Sequence, residues 1–174
     1  MIEELRVLQD EVAATNPPAE VVGPVTELLD RARTLLAPHR AEATERIYGR
    51  IIDTPGRGQT LAAPVRVIES GVGRLVCETV FGPFHAGYAA AHGGAVALAF
   101  DEVFGRLADA DGRTPSRTVS LQLDYRSITP IDEPVVLEAE LTDESGRKRT
   151  LRGTLRHGDR ICAQGRALFI AMRP

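Results

Sequence analysis

Apolar positions near the start of the chain recur every three or four residues: Ile2, Leu5, Leu8 and Val12 share one side of a helix over Ile2 to Thr15, and charged residues fill the other side. Asn16-Pro17-Pro18 ends it. A second helical face over Ala19 to Ala37 aligns Val21, Val22, Val25, Leu28, Leu29, Ala32, Leu35 and Leu36, and Pro38 closes it. The pattern extends to a third helix over Ala41 to Ile52, and Thr54-Pro55-Gly56-Arg57-Gly58 has the composition of a boundary loop. Residues 1–60 are therefore predicted to be a helical extension ahead of a domain over residues 61–174. From Pro64 the period changes to two. Val65 to Ser70, a turn at Gly71-Val72-Gly73, and Arg74 to Phe81 read as a hairpin leading through Gly82-Pro83 into a loop.

The next stretch, Ala91 to Leu107, is apolar nearly all the way round, which predicts a helix wrapped by other protein. Asp101 and Glu102 fall inside that apolar run. After the loop Asp109 to Pro115 come four strand segments: Ser116 to Ser127, Pro134 to Leu141, Lys148 to Arg156 and Arg160 to Met172. Short glycine-bearing turns, Asp143-Glu144-Ser145-Gly146 and His157-Gly158-Asp159, join the last three. Two strands, one long buried helix and four antiparallel strands predict an α+β fold in which an antiparallel sheet wraps a central helix, the hotdog fold.

At 174 residues and 43% hydrophobic content the chain supports one core. Its 21 basic and 24 acidic side chains are mixed along the sequence, for a net charge of −3, and no basic stripe recommends nucleic acid. The acidic N-terminus lacks a signal-peptide pattern and no long apolar run occurs, so a cytoplasmic protein is expected. Cys77 and Cys162 both lie in strand-like segments and read as small buried hydrophobes. His39, His85 and His157 lack metal-ligand spacing, so no metal site is expected.

His92-Gly93-Gly94 sits where the central helix begins. The two glycines leave backbone N–H groups uncovered at the positive end of the helix dipole, a place for a developing negative charge. One such donor is worth roughly 2.7–4 kcal/mol to an oxyanion. The string AHGGAVALAFDE, then TVSLQLDYRSITPI and a closing GRALFI, resembles the PaaI-like branch of hotdog acyl-coenzyme A thioesterases over roughly Pro64 to Pro174. The resemblance implies hydrolysis of an acyl-CoA thioester, with the Gly93 N–H polarising the carbonyl and Gly94 beside it. It implies Asp101 as general base or nucleophile, and Thr118, seven residues before Tyr125, holding the attacking water. No resident cofactor is implied; coenzyme A enters as part of the substrate. The pattern departs at Ala86, where many relatives carry an asparagine; His85 and Tyr88 lie nearby.

Gly93 and Asp101 are eight residues apart, about 12 Å on a straight helix. They cannot address one carbonyl carbon within one chain, so a catalytic reading predicts a homodimer or homotetramer with sites at the subunit interface. Each residue also has a structural reading. Asp101 could pair with Arg106, as Glu102 is expected to pair; Thr118 is β-favoured at a strand start; and His92 could simply shape the turn. Arg117, Arg126 and Arg147-Lys148-Arg149 could meet phosphates or be solvated surface. Hydrolysis of a carrier-protein thioester, a hydratase and a non-catalytic acyl-ligand-binding hotdog protein stay open beside acyl-CoA hydrolysis. Phe100 and Phe104 could line a fatty-chain pocket, and the extension could cover an acyl tunnel or widen an oligomer interface.

Overall fold

The computed structural model describes residues 1–51 and 54–173. Its centre is the helix Gly93–Ala108, here α3 because α1 (Ile2–Ala14) and α2 (Ala19–Leu36) precede it. Val96, Ala99, Phe100, Val103, Phe104 and Leu107 are all at most 1% exposed, as an apolar run on every side requires. They pack on one six-stranded, wholly antiparallel sheet of β1 (Val65–Gly71), β2 (Arg74–Val80), β3 (Ser116–Tyr125), β4 (Pro134–Ser145), β5 (Lys148–His157) and β6 (Arg160–Ala171). The spatial order is β1-β2-β4-β5-β6-β3, so the chain crosses from β2 through α3 to the far edge, lays down β3, and returns to fill the middle. This is the expected hotdog arrangement.

Close approach of helix and sheet depends on two glycines. Gly153 on β5 and Gly165 on β6 are cross-strand partners facing α3. A Cβ would stand 2.8 Å from Phe104 at the first and 2.7 Å from Phe100 at the second. The two phenylalanine rings, edge to face with centroids 5.5 Å apart, fill that space. Both are fully buried against the sheet as part of the core.

The far end of α3 is closed by Arg149, 5% exposed on β5. Its guanidinium donates to the carbonyls of Ala108 (2.9 Å) and Thr114 (2.8 Å), and is balanced by Glu144 at 3.0 Å. A cation there satisfies carbonyls the helix cannot, and opposes the negative end of its dipole. Arg149 is thereby removed from the candidates for phosphate binding. Cys77 and Cys162 are buried and unpaired, and burial pushes the Cys77 thiol up to about 11.

Two expectations need correction. Residues 41–51 form turns and no helix; Ile52 lies outside the described residues. Gly49 takes a positive φ of 75°, and Arg46 and Arg50 donate to the local carbonyls of Ala41 and Thr44, a set of contacts a helix would not leave available. The β4–β5 hairpin is longer than its charge suggested: Ser145 pairs with Lys148, and Gly146-Arg147 makes the turn. Its polar ends hold together through Arg113 and Arg149 on Glu144. Helix α1 docks by polar contacts. Buried Arg6 donates to the Gln59 carbonyl, and Asp10 accepts the Phe84 N–H at 2.9 Å.

Candidate active site

Backbone bonds fix the start of α3 before any side chain acts. The His92 N–H donates to the His85 carbonyl (2.8 Å) and the Ala91 N–H to that of buried Thr129 (2.9 Å), while Ala86 and Ala91 form an isolated β-bridge. The His92 side chain caps the helix: its Nδ1 accepts the Gly94 N–H at 3.0 Å. That bond assigns Nδ1 as the unprotonated nitrogen and occupies the Gly94 donor. Among the described residues no acceptor is paired with the Gly93 N–H, which is therefore the free donor at the positive end of α3.

Tyr125, at the end of β3, donates its phenol to the Gly93 carbonyl at 2.7 Å. A Cβ on Gly93 would lie 3.3 Å from that oxygen, a tight contact that a shift of a few tenths of an ångström in the Tyr125 ring would accommodate. Partial burial raises the Tyr125 pKa and keeps it a donor. The sequence placed Tyr125 only as a marker in a string, and its contact with Gly93 is new.

Two turns further along α3, the Thr118 hydroxyl donates to Asp101 Oδ1 at 2.8 Å. Among the described residues no partner is paired with Oδ2. Asp101 is not the partner of Arg106: that arginine bonds Glu102 at 2.6 Å, and Arg57 reaches Glu102 from the N-terminal side at 2.9 Å. Glu102 thus has the structural role expected of it.

A break in strand register brings Thr118 and Tyr125 to the same helix. Seven residues apart, they would face opposite sides of a regular strand. The β3–β6 register shifts between Thr118 and Ser120, a bulge at Val119. Thr118 then lies opposite buried Phe169, Tyr125 lies opposite buried Ala163, and both face α3.

Asp101 and Thr118 are therefore brought together, and His92, Gly93 and Gly94 form a second group about 12 Å away along α3. Ala86 sits in an isolated β-bridge with Ala91, and the side chain of neither His85 nor Tyr88 beside it takes a place at the helix start. Tyr88 is fully exposed, and the buried His85 ring packs between Phe81 and Phe84, beside α1, where burial lowers its pKa. Among the described residues no His, Cys, Asp and Glu side chains cluster to hold a metal ion, and no helix is long and apolar enough to cross a membrane.

Residues 88–164 match the Thioesterase superfamily, a span that takes in both groups. A crystal structure of a thioesterase superfamily protein superposes with a TM-score of 0.82 at 26% identity, over 97% of this chain and 92% of that one, so it includes counterparts of the N-terminal helices. Zebrafish thioesterase superfamily member 2 superposes with a TM-score of 0.59 at 21% identity, over 62% of this chain and 81% of that one. A hypothetical thioesterase from Streptococcus pneumoniae, solved with coenzyme A, does so with a TM-score of 0.59 at 14% identity, over 62% of this chain and 88% of that one. No curated protein matches the sequence.

Proposed function

We propose that this chain is a thioester hydrolase of the PaaI-like branch of the thioesterase superfamily, cleaving an acyl-CoA to the free acid and coenzyme A. The observation that carries the reading is the Asp101 carboxylate, fixed by Thr118 through one oxygen and open at the other, on the same helix that begins with the free Gly93 N–H. The family match and the relatives solved with coenzyme A or bound to acetyl CoA support the substrate class.

The chemistry follows from charge. Water adding to the thioester carbonyl puts a negative charge on its oxygen, and the Gly93 N–H at the helix start is placed to receive it. Oδ2 of an Asp101 takes the water proton as the C–O bond forms. When the C–S bond breaks, that proton passes to the departing thiolate, leaving acid, thiol and the original carboxylate. Direct attack by the same oxygen, through an acyl-enzyme, uses the same two groups.

Because Gly93 and Asp101 of one chain stand about 12 Å apart, the acid comes from a second copy whose α3 runs antiparallel. Among the described residues the edge strand β3 pairs only with β6, and it exposes Arg117, Val119 and Ser120 beside Thr118, which suits it to meet the same edge of a second copy. Homodimer and homotetramer both satisfy this requirement.

One observation favours a non-catalytic acyl-ligand-binding protein instead: Ala86 supplies no polar group to orient a carbonyl or water. Thiol release from short, medium, long and aromatic acyl-CoA substrates separates the two. Turnover that falls about 10²–10⁴-fold in Asp101→Asn supports hydrolysis with Asp101 as its acid. No turnover by the unaltered protein across the panel and on carrier-protein thioesters establishes the binder.

A further inference from the structure

The helix α2 is patterned for a helical partner that its own chain does not supply. Val21, Val25, Leu28, Ala32 and Leu35 follow one another at intervals of four, three, four and three residues, the spacing that keeps a continuous seam against another helix. Val22, Leu29 and Leu36 repeat every seven residues beside them, which widens the seam to the face of a bundle helix. Yet no residue of α2 is buried, and its large aliphatic side chains are 42–68% exposed apart from the half-buried Val25. The helix also contains Gly23-Pro24, which weakens its propensity and removes an internal hydrogen bond. Eighteen residues of this composition do not hold a helix in water without packing. Alongside it lies an apolar groove of about 710 Å³, with Leu8 and Val12 of α1 on one wall and Val21, Val22, Val25 and Leu29 of α2 on the other.

We propose that the seam of α2 that borders this groove takes the α2 of a second copy of the chain, antiparallel about a twofold axis at Leu28, with the α1 of each copy flanking the pair as a four-helix bundle. Charge fixes both partner and direction. The first half of α2 carries Glu20 and Glu27, net −2; the second carries Asp30 against Arg31 and Arg33, net +1. Antiparallel pairing sets each acidic half on a basic half and opposes the helix dipoles, whereas parallel pairing sets like on like. The register is self-complementary to within one residue, as a twofold contact requires: Val21 faces Leu35, Leu28 meets its own copy, and Val25 lies one position from the level of Ala32. The helix is about 27 Å long, and with the α1 wall it covers on the order of 600–800 Å² per copy, the scale of a standard stable interface. This contact does not rest on thioester hydrolysis.

Disulfide trapping on the full-length chain tests it, since Cys77 and Cys162 are 1% and 0% exposed and leave the background low. Under mild oxidation Leu28→Cys is expected to form a covalent dimer at twice the 18.8 kDa chain mass, at least about ten times faster than Asp30→Cys on the opposite face. Mixed Val21→Cys and Leu35→Cys chains are expected to cross-link with each other and not with themselves. Self-linking of Val21→Cys shows parallel pairing and overturns the proposal. Equal rates for Leu28→Cys and Asp30→Cys also overturn it, whether α2 then packs on its own chain or on an unrelated partner. Thiol release measured on the same variants keeps the two readings apart: activity without the cross-link sinks this contact alone.

Discussion

Gly93 serves two roles at one residue: its bare N–H is the free donor at the helix start, and its carbonyl accepts the Tyr125 phenol. Asp101 depends in the same way on a neighbour, because the Thr118 hydroxyl satisfies one carboxylate oxygen and, among the described residues, the other has no partner. His85 has no such neighbour. Its ring is 6% exposed, and neither nitrogen has a hydrogen-bond partner among the described residues. Burial lowers its pKa; Asp10 pulls against that shift and Arg6 reinforces it. The sign of the pH effect follows. As pH falls through about 6.5 the unfolded chain takes up the His85 proton and the folded chain does not, so folding weakens until the lowered native pKa is reached. Urea midpoints measured from pH 7.5 to 5 should therefore fall more steeply for the natural protein than for His85→Leu. Parallel curves would show that His85 is not resisting protonation.

Elements meet here by fit as much as by pattern, and the Gly153–Gly165 pair is the clearest case. A methyl at Gly165 would stand 2.7 Å from Phe100 Cδ1 and 2.8 Å from Leu123 Cδ2, and the Phe100 ring is fully buried and has no room to yield. Gly165→Ala should cost about 1–3 kcal/mol, a fall in melting temperature of roughly 2–12 °C. Gly105→Ala, inside α3 with its nearest neighbour an ordinary 3.8 Å away, should instead stabilise by up to about 1 kcal/mol through helix propensity. A thermal melt in which both variants shift the same way would defeat this account of the packing. The contrast also marks what the chain discloses before folding. Period two and period 3.6 are written in single segments, so α1, α2, α3 and all six strands could be read there, with Asp101 and the helix start as candidates. Fit between segments is not. Nothing in RTVSLQLDY announces the bulge at Val119, which decides that Thr118 and Tyr125 grip the same helix. Residues 41–51 show the opposite failure: alternating charged and apolar residues imitate a helix, while Gly49 and the arginine-to-carbonyl bonds hold turns.

The whole molecule, as one chain, holds both halves of the proposed chemistry and cannot apply them to one carbon. If two copies complete each other, damage to different halves in different copies must be repairable. Asp101→Ala removes the acid and leaves the helix start intact. Gly93→Pro does the reverse: proline lacks the N–H, its φ suits the first helical position, and the preceding His92, at φ −61° and ψ 137°, already has the backbone a proline demands. Gly93→Ala is the control, since it brings the same Cβ towards Tyr125 but keeps the donor. Each of the first two variants alone should be inactive in thiol release, and Gly93→Ala should retain most of its turnover. Co-expressed with different tags and purified as the mixed dimer, Asp101→Ala and Gly93→Pro chains should regain about half the natural rate, because one of the two sites joins an intact Gly93 to an intact Asp101 and the other joins both lesions. A mixed dimer as dead as its parents would place both groups' work inside single chains. The 12 Å along α3 would then forbid the proposed division of labour between oxyanion donor and acid.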